Sequence, residues 1–149
     1  MKVTLRRATA ADVLDYVRIE KAVESKINLV MTNPEEVERE VRNSIAYMIH
    51  GEDGHIVGLI AYKRKKPSQA YISEIAVLPA FQRQGIGDEA LRLIMEELKN
   101  VPRIELMTHP ANPARRLYER HGFKVCGRID NFQGSSEPRL VMARILKAA

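Results

Sequence analysis

The chain has 149 residues, a length for which one domain is expected and which can bury a single good core. Lys and Arg number 24 against 19 Asp and Glu, and the resulting net charge of +5 suits an anionic ligand but is spread along the chain. Cys126 is the only cysteine, which excludes an intrachain disulfide; no run is apolar for long enough to cross a bilayer, and Met1 to Arg7 lacks a signal-peptide core, so a cytoplasmic protein without membrane contact is expected.

In chain order, Val3 to Arg7 reads as a first strand. Thr9-Ala10-Ala11-Asp12 offers an N-cap and an acid in the first turn, and Val13, Leu14, Tyr16, Val17, Ile19 and Glu20 continue a helix to about Val23. Ser25 to Asn33 reads as a loop or a broken helix. Asn33-Pro34-Glu35-Glu36 starts a second helix with a capping Asn, a Pro at the first helical position and acids against the dipole. That helix should end near Ser44.

Ala46 to His50 reads as a strand, Gly51 to Gly54 as its hairpin turn, and Ile56 to Tyr62 as the return strand. The basic run Lys63-Arg64-Lys65-Lys66 reads as a strand end running into a loop. Few aromatics accompany it, so a solvated basic edge is expected rather than a nucleic-acid surface. Tyr71 to Val77 is the next strand. A helix follows Gly85 to about Asn100, then a strand at Arg103 to Met107, and a short helix from Asn112-Pro113 that Gly122 stops. Phe123 to Ile129 and Arg139 to Leu146 close the domain as strands. The order βααβββαβαββ predicts a mixed α/β domain: a mostly antiparallel sheet with helices on both faces and one parallel unit from Tyr71 to Met107.

The most informative stretch is Gln82-Arg83-Gln84-Gly85-Ile86-Gly87, between an apolar strand and the helix Asp88-Glu89-Ala90-Leu91-Arg92-Leu93-Ile94. Glycines at a helix start let free backbone N–H groups approach a ligand, and the helix dipole adds partial positive charge, which suits a pyrophosphate. Three readings fit. Gly85-Ile86-Gly87-Asp88-Glu89-Ala90 matches a loose dinucleotide fingerprint with Glu105 as the ribose acid, but Gly85 lies far from the end of the strand at Val77 and too little chain follows. The glycines also suit a plain tight turn with close helix–sheet packing.

The third reading is an acyl-CoA site. Ile75-Ala76-Val77-Leu78-Pro79 followed by Gln82-Arg83-Gln84-Gly85-Ile86-Gly87 resembles the central motif of the GNAT superfamily of N-acetyltransferases. Asn112-Pro113-Ala114-Arg115-Arg116-Leu117-Tyr118, with Gly122-Phe123 behind it, resembles that family's second element, in family order and at family distance. The resemblance implies an N-acetyltransferase fold, acetyl-CoA as cosubstrate and an amine acceptor. It implies a pyrophosphate held by N–H groups from about Arg83 to Asp88, with the Asp88 side chain turned away, and a pantetheine arm paired with backbone at Ile75 and Val77. A gap between that strand and Leu106-Met107 would be needed, and a backbone N–H near Ala76 or Val77 would face the oxyanion.

Tyr118 stands at the family position of the general acid, since a phenol of pKa about 10 can protonate a thiolate of pKa about 8.5; a core-packing role is the other reading. Asn112, one residue closer to Tyr118 than the family's asparagine commonly stands, is either a pantetheine contact or an N-cap. For the general base two candidates stand, Glu74 and His109. Strict alternation puts Glu74 on the face opposite Ser73 and Ile75. His50, His55, His109, His121 and Cys126 form no metal-ligand spacing, and Cys126 reads as a small buried strand residue. Acceptor choice should lie in residues 23–34 and 131–138. A non-catalytic acyl-CoA-binding or sensory module on the same fold is the alternative. A homodimer through Leu140-Val141-Met142 and Ile145-Leu146 is open, those residues being core otherwise.

Overall fold

A computed structural model describes residues 2–146. Seven strands and four helices alternate as β1 (Thr4–Arg7), α1 (Val13–Val23), α2 (Pro34–Asn43), β2 (Ile45–His50), β3 (Ile56–Lys66), β4 (Gln69–Val77), α3 (Ile86–Glu97), β5 (Arg103–Thr108), α4 (Ala114–Arg120), β6 (Lys124–Ile129) and β7 (Arg139–Ile145). They form one sheet in the order β1-β2-β3-β4-β5-β7-β6. Every pair is antiparallel except β4 with β5, which α3 joins. This is the expected element order. A dinucleotide fold needs a mostly parallel sheet, so that reading falls. Glu105, its candidate ribose acid, is instead ion-paired with Arg103 at 2.5 Å.

Local chemistry explains the boundaries. Thr9 and Asp12 form a reciprocal capping box before α1, and Arg6 makes a two-armed bond to Asp12 at 3.0 and 2.8 Å. Asn33 accepts from Glu35 and Glu36 N–H ahead of Pro34. Gly122 has φ of 89°, the left-handed value that ends α4. The sheet separates two cores. Ile60, Ile72, Leu91, Ile94, Ile104 and Phe123 pack with α3 and α4 on one face. Tyr16, Ile19, Val37, Met48, Leu59 and Ala76 pack with α1 and α2 on the other. Burial at roughly 25 cal/mol per Å2 of apolar surface is what holds the three layers.

The basic run forms the solvated end of β3, as expected. Lys63 to Lys66 belong to β3 itself, and the turn comes at Pro67-Ser68. Cross-strand pairing with β4 extends the strand, while β2 pairs only as far as Tyr62, so this segment is a local edge. Lys63 is bound to Glu40 at 3.0 Å and Lys65 lies over the Tyr71 ring. Cys126 is exposed rather than buried, 3.8 Å from an Arg103 nitrogen, because β6 is an edge strand with one face in solvent. Leu140 and Met142 are core, while Ile145 and Leu146 stay exposed. No helix among the described residues is long and apolar enough to cross a membrane.

Candidate active site

The parallel strands pair from Gln69 opposite Arg103 to Ile72 opposite Leu106, and then part, although β4 runs on to Val77 and β5 to Thr108. The cause lies on the other side of β4. There Glu74 faces Ala61 and Ile72 faces Tyr62, so Ser73 is an extra residue in the ladder. Such a bulge bends its strand and increases the twist, which draws β4 off β5. Leu78 N–H donates to Val57 O at 2.8 Å. Antiparallel alternation therefore turns the Ala76 N–H toward β3 and those of Ile75 and Val77 into the gap. The Val77 carbonyl accepts from Gln82 Nε2 at 2.9 Å. Ile75 N–H and C=O and Val77 N–H are the backbone groups left facing the gap.

Beyond β4, a 3-10 turn at Pro79–Phe81 leads into exposed Gln82, Arg83, Gln84 and Gly85. Arg83 has φ of 65° and Gly85 φ of 78°, so the chain reverses through two left-handed residues. For Gly85 this is unstrained; Arg83 carries the cost of a side chain there. The first bond into α3 runs from Glu89 N–H to Gly85 O at 3.0 Å, which leaves the Ile86, Gly87 and Asp88 N–H groups without intrahelical acceptors. The two glycines differ in kind. A methyl on Gly87 would meet Leu117 at 3.7 Å and Val77 at 3.9 Å, ordinary contacts, so only Gly85 is demanded by the backbone. The Asp88 side chain turns away, to His121 Nε2 at 2.9 Å.

Around the gap lies a cleft of about 440 Å3, lined from both faces of the sheet. Its walls come from the α1–α2 loop, α2, the Lys63 end of β3, β4, β5 and the turn after it, Tyr118 of α4, the β6–β7 connection and Arg139 of β7. Of the residues singled out in the sequence, Glu74, Ile75, His109, Asn112 and Tyr118 line it; Ala76, Val77 and residues 82–88 do not. The bulge also corrects the alternation argument. Ser73 and Glu74 both face α1 and α2: Ser73 Oγ donates to Glu40 Oε1 at 3.2 Å, and the Glu74 carboxyl meets Glu20. Burial, and then the neighbouring Glu20 and Glu40 charges, hold the Glu74 carboxyl well above the usual carboxylate range. Burial raises Glu20 as well, against a bond from Met31 N–H at 3.2 Å.

Tyr118 is buried with its ring edge-on to Phe123, centroids 6.3 Å apart, and burial pushes its phenol up so that it stays protonated. Asn112 Oδ1 accepts from Ala114 N–H at 2.9 Å, the capping bond that starts α4. His109 Nδ1 accepts from Ala111 N–H at 3.0 Å, which places the ring proton on Nε2, 3.4 Å from Glu137. The loop residues Ile27 to Met31, with Phe132 and Gln133, form the wall that lies within the segments expected to choose the acceptor. Glu20, Glu40 and Arg139 escaped the sequence reading as site residues. Their signal was present: each is an ionisable residue at a core-facing position of its element, and a charge there needs a partner.

Comparison with known proteins gives a consistent picture. The family model described as the acetyltransferase (GNAT) family matches residues 18–123. The mycothiol acetyltransferase of Brachybacterium faecium is 35% identical over 83 residues, covering 51% of this chain and 25% of that protein. The chain thus spans about a quarter of the length of that curated relative. The crystal structure of the ribosomal-protein-S18-alanine N-acetyltransferase from Escherichia coli superposes with a TM-score of 0.83 at 20% identity, over 99% of this chain and 96% of that one. Ard1 from Thermoplasma volcanium gives 0.82 at 21% identity, over 99% and 100%. At these identities the two structures share its fold.

Proposed function

The chain belongs to the acetyltransferase (GNAT) family, and on that premise we propose that it is an N-acetyltransferase that moves an acetyl group from acetyl-CoA to a primary amine by direct attack. One observation carries the reading: the open edge of β4 at Ile75 and Val77 runs straight toward a helix start whose N–H groups lack acceptors. An arm with amide groups fits the first and a pyrophosphate the second. The N–H groups of Ile86, Gly87 and Asp88 hold the phosphates, with Gln84 and Gly85 shaping the approach and Arg83 adding charge. Asn112 keeps its capping role and borders the arm.

Bound acetyl-CoA supplies an acyl group activated as a thioester with a thiol as leaving group. The chain's residues do the rest. Glu74 takes a proton from the incoming ammonium, and its raised proton affinity suits a base that works nearer neutral pH than an ordinary carboxylate. Val77 N–H, rather than Ala76 N–H, faces the gap and stabilises the developing oxyanion. Tyr118 donates its phenolic proton to the departing sulfur. His109 accepts from Ala111 N–H, keeps its Nε2 within 3.4 Å of Glu137, and positions the end of β5.

Thermal unfolding with acetyl-CoA, and with NAD as a control, tests the reading. Acetyl-CoA at about 100 times its Kd should stabilise by roughly 2.7 kcal/mol, a Tm rise on the order of 5–10 °C. A rise with NAD alone would overturn it.

A further inference from the structure

Arg139 opens β7 and is only 6% exposed, yet it lines the same cleft as Glu74. Its Nη1 donates to Pro138 O at 2.9 Å, and its guanidinium lies 5.0 Å from the centre of the Phe132 ring. The acids nearest in sequence are engaged elsewhere: Glu137 sits 3.4 Å from His109, and Asp130 is bonded to Arg128 at 2.9 Å. The cleft's other long cation, Lys63, is matched by Glu40 at 3.0 Å. Among the described residues Arg139 is therefore a buried guanidinium with no carboxylate partner. That state is costly unless something supplies the counter-charge. Its planar fork of donors fits a carboxylate in two-armed fashion, and the contact with Phe132 restricts it in advance.

The register puts Arg139 on the acceptor side of the sheet. Met107 pairs with Val141, so Arg139, two residues earlier on β7, shares the face of Met107. Ser73 and Glu74 look to that same side, and one strand, β5, lies between. β4 and β5 have already parted at this level, and Glu74 and Arg139 both line the cleft that opens there. Ile27, Leu29, Val30 and Met31, with Asn28 among them, line the cleft beside them.

We propose that Arg139 docks a carboxylate of the acceptor, so that the amine acetylated here belongs to a free amino acid with an apolar side chain. The inference rests on the acetyl-transfer reading above and narrows its acceptor. The amine meets Glu74 at one end, and the carboxylate meets Arg139 at the other.

Rates of CoA release with acetyl-CoA and L-leucine, L-methionine or L-phenylalanine decide it, set against the corresponding amides and against tripeptides starting with the same residues. The free acids should exceed the amides in kcat/KM by roughly 10- to 100-fold, the worth of a charge-assisted bond. Arg139→Gln should bring that ratio close to one, and Arg139→Lys should keep part of it. Amides or tripeptides used as well as the acids would overturn the inference, as would a ratio that Arg139→Gln leaves unmoved. If acetyl-CoA stabilises the protein but none of these amines is acetylated, the inference falls and the acetyl-CoA reading stands. If acetyl-CoA does not stabilise it, the reading itself falls. Should Arg139→Gln fail to fold, the acid-to-amide ratio of the unmutated protein still decides.

Discussion

At one end of β4 the start of α3 offers backbone N–H groups, and beside its middle the cleft under Glu74 offers side chains. The first is assembled within a few residues of chain, from a turn, a left-handed glycine and a helix start. The second draws on the α1–α2 loop, α2, β3, β4, β5, α4, the β6–β7 connection and β7. Backbone recognition tolerates any side chain that leaves the dihedral angles alone, so it is compact and local. Side-chain chemistry needs groups of opposing character brought together and desolvated, which only packing achieves. If the two regions bind the two substrates, changes in one should move one kinetic quantity and spare the other.

The largest effect expected is on the cleft side. Tyr118→Phe should lower kcat by about 10²-fold or more, the usual worth of a positioned acid, with acetyl-CoA stabilisation retained. A CoA-release assay at wild-type rate would remove Tyr118 from the mechanism. On the loop side, Gly85→Val forces a β-branched residue to φ of 78°. That costs about 1–3 kcal/mol locally and should weaken acetyl-CoA by roughly 10- to 100-fold while kcat at saturation holds. Isothermal titration beside steady-state kinetics would reveal a break in the division if kcat fell as far.

Glu20→Gln sharpens the comparison further. Burial is the first cause of the raised Glu74 carboxyl and Glu20 the second. Removing the second lowers that proton affinity, so the acidic limb of kcat/KM should move to lower pH. A limb that stays put would mean that Glu74 does not set it.

The smallest effect is a control far from both regions. Asp12 is held below the ordinary carboxylate range chiefly by its bond to Arg6, with burial opposing. A depressed carboxyl stabilises the fold above its unfolded pKa, about 3.9, and that contribution is lost as pH falls through the folded value. Arg6 is 45% exposed, so Asp12→Asn should cost only about 1 kcal/mol at neutral pH. The difference from wild type should shrink toward zero in acid melts, and neither kcat nor acetyl-CoA affinity should change.

Asn33-Pro34, Thr9 to Asp12, and Gly85 each carry their structural consequence in their own chemistry, which is why the helix starts and the glycine turn before α3 were legible residue by residue. The order of elements likewise placed the one parallel unit, β4 with β5. Alternation failed where the ladder gained a residue. Ser73 looks like any strand serine, and only its pairing across β3 makes it the bulge that opens the gap and turns Glu74 toward α1 and α2. Lys63, an ordinary member of a basic run, became a partner for Glu40 for the same kind of reason.

The sequence by itself thus determined the elements, their order, and the backbone site at the head of α3, because capping, φ preference and apolar period act over a few residues. The tertiary structure alone decided which carboxyls meet in a buried cluster, which peptide N–H faces the gap, and that Arg139 lies in the cleft without a carboxylate partner. Those are properties of distances and burial between segments far apart in the chain, and no local pattern encodes them.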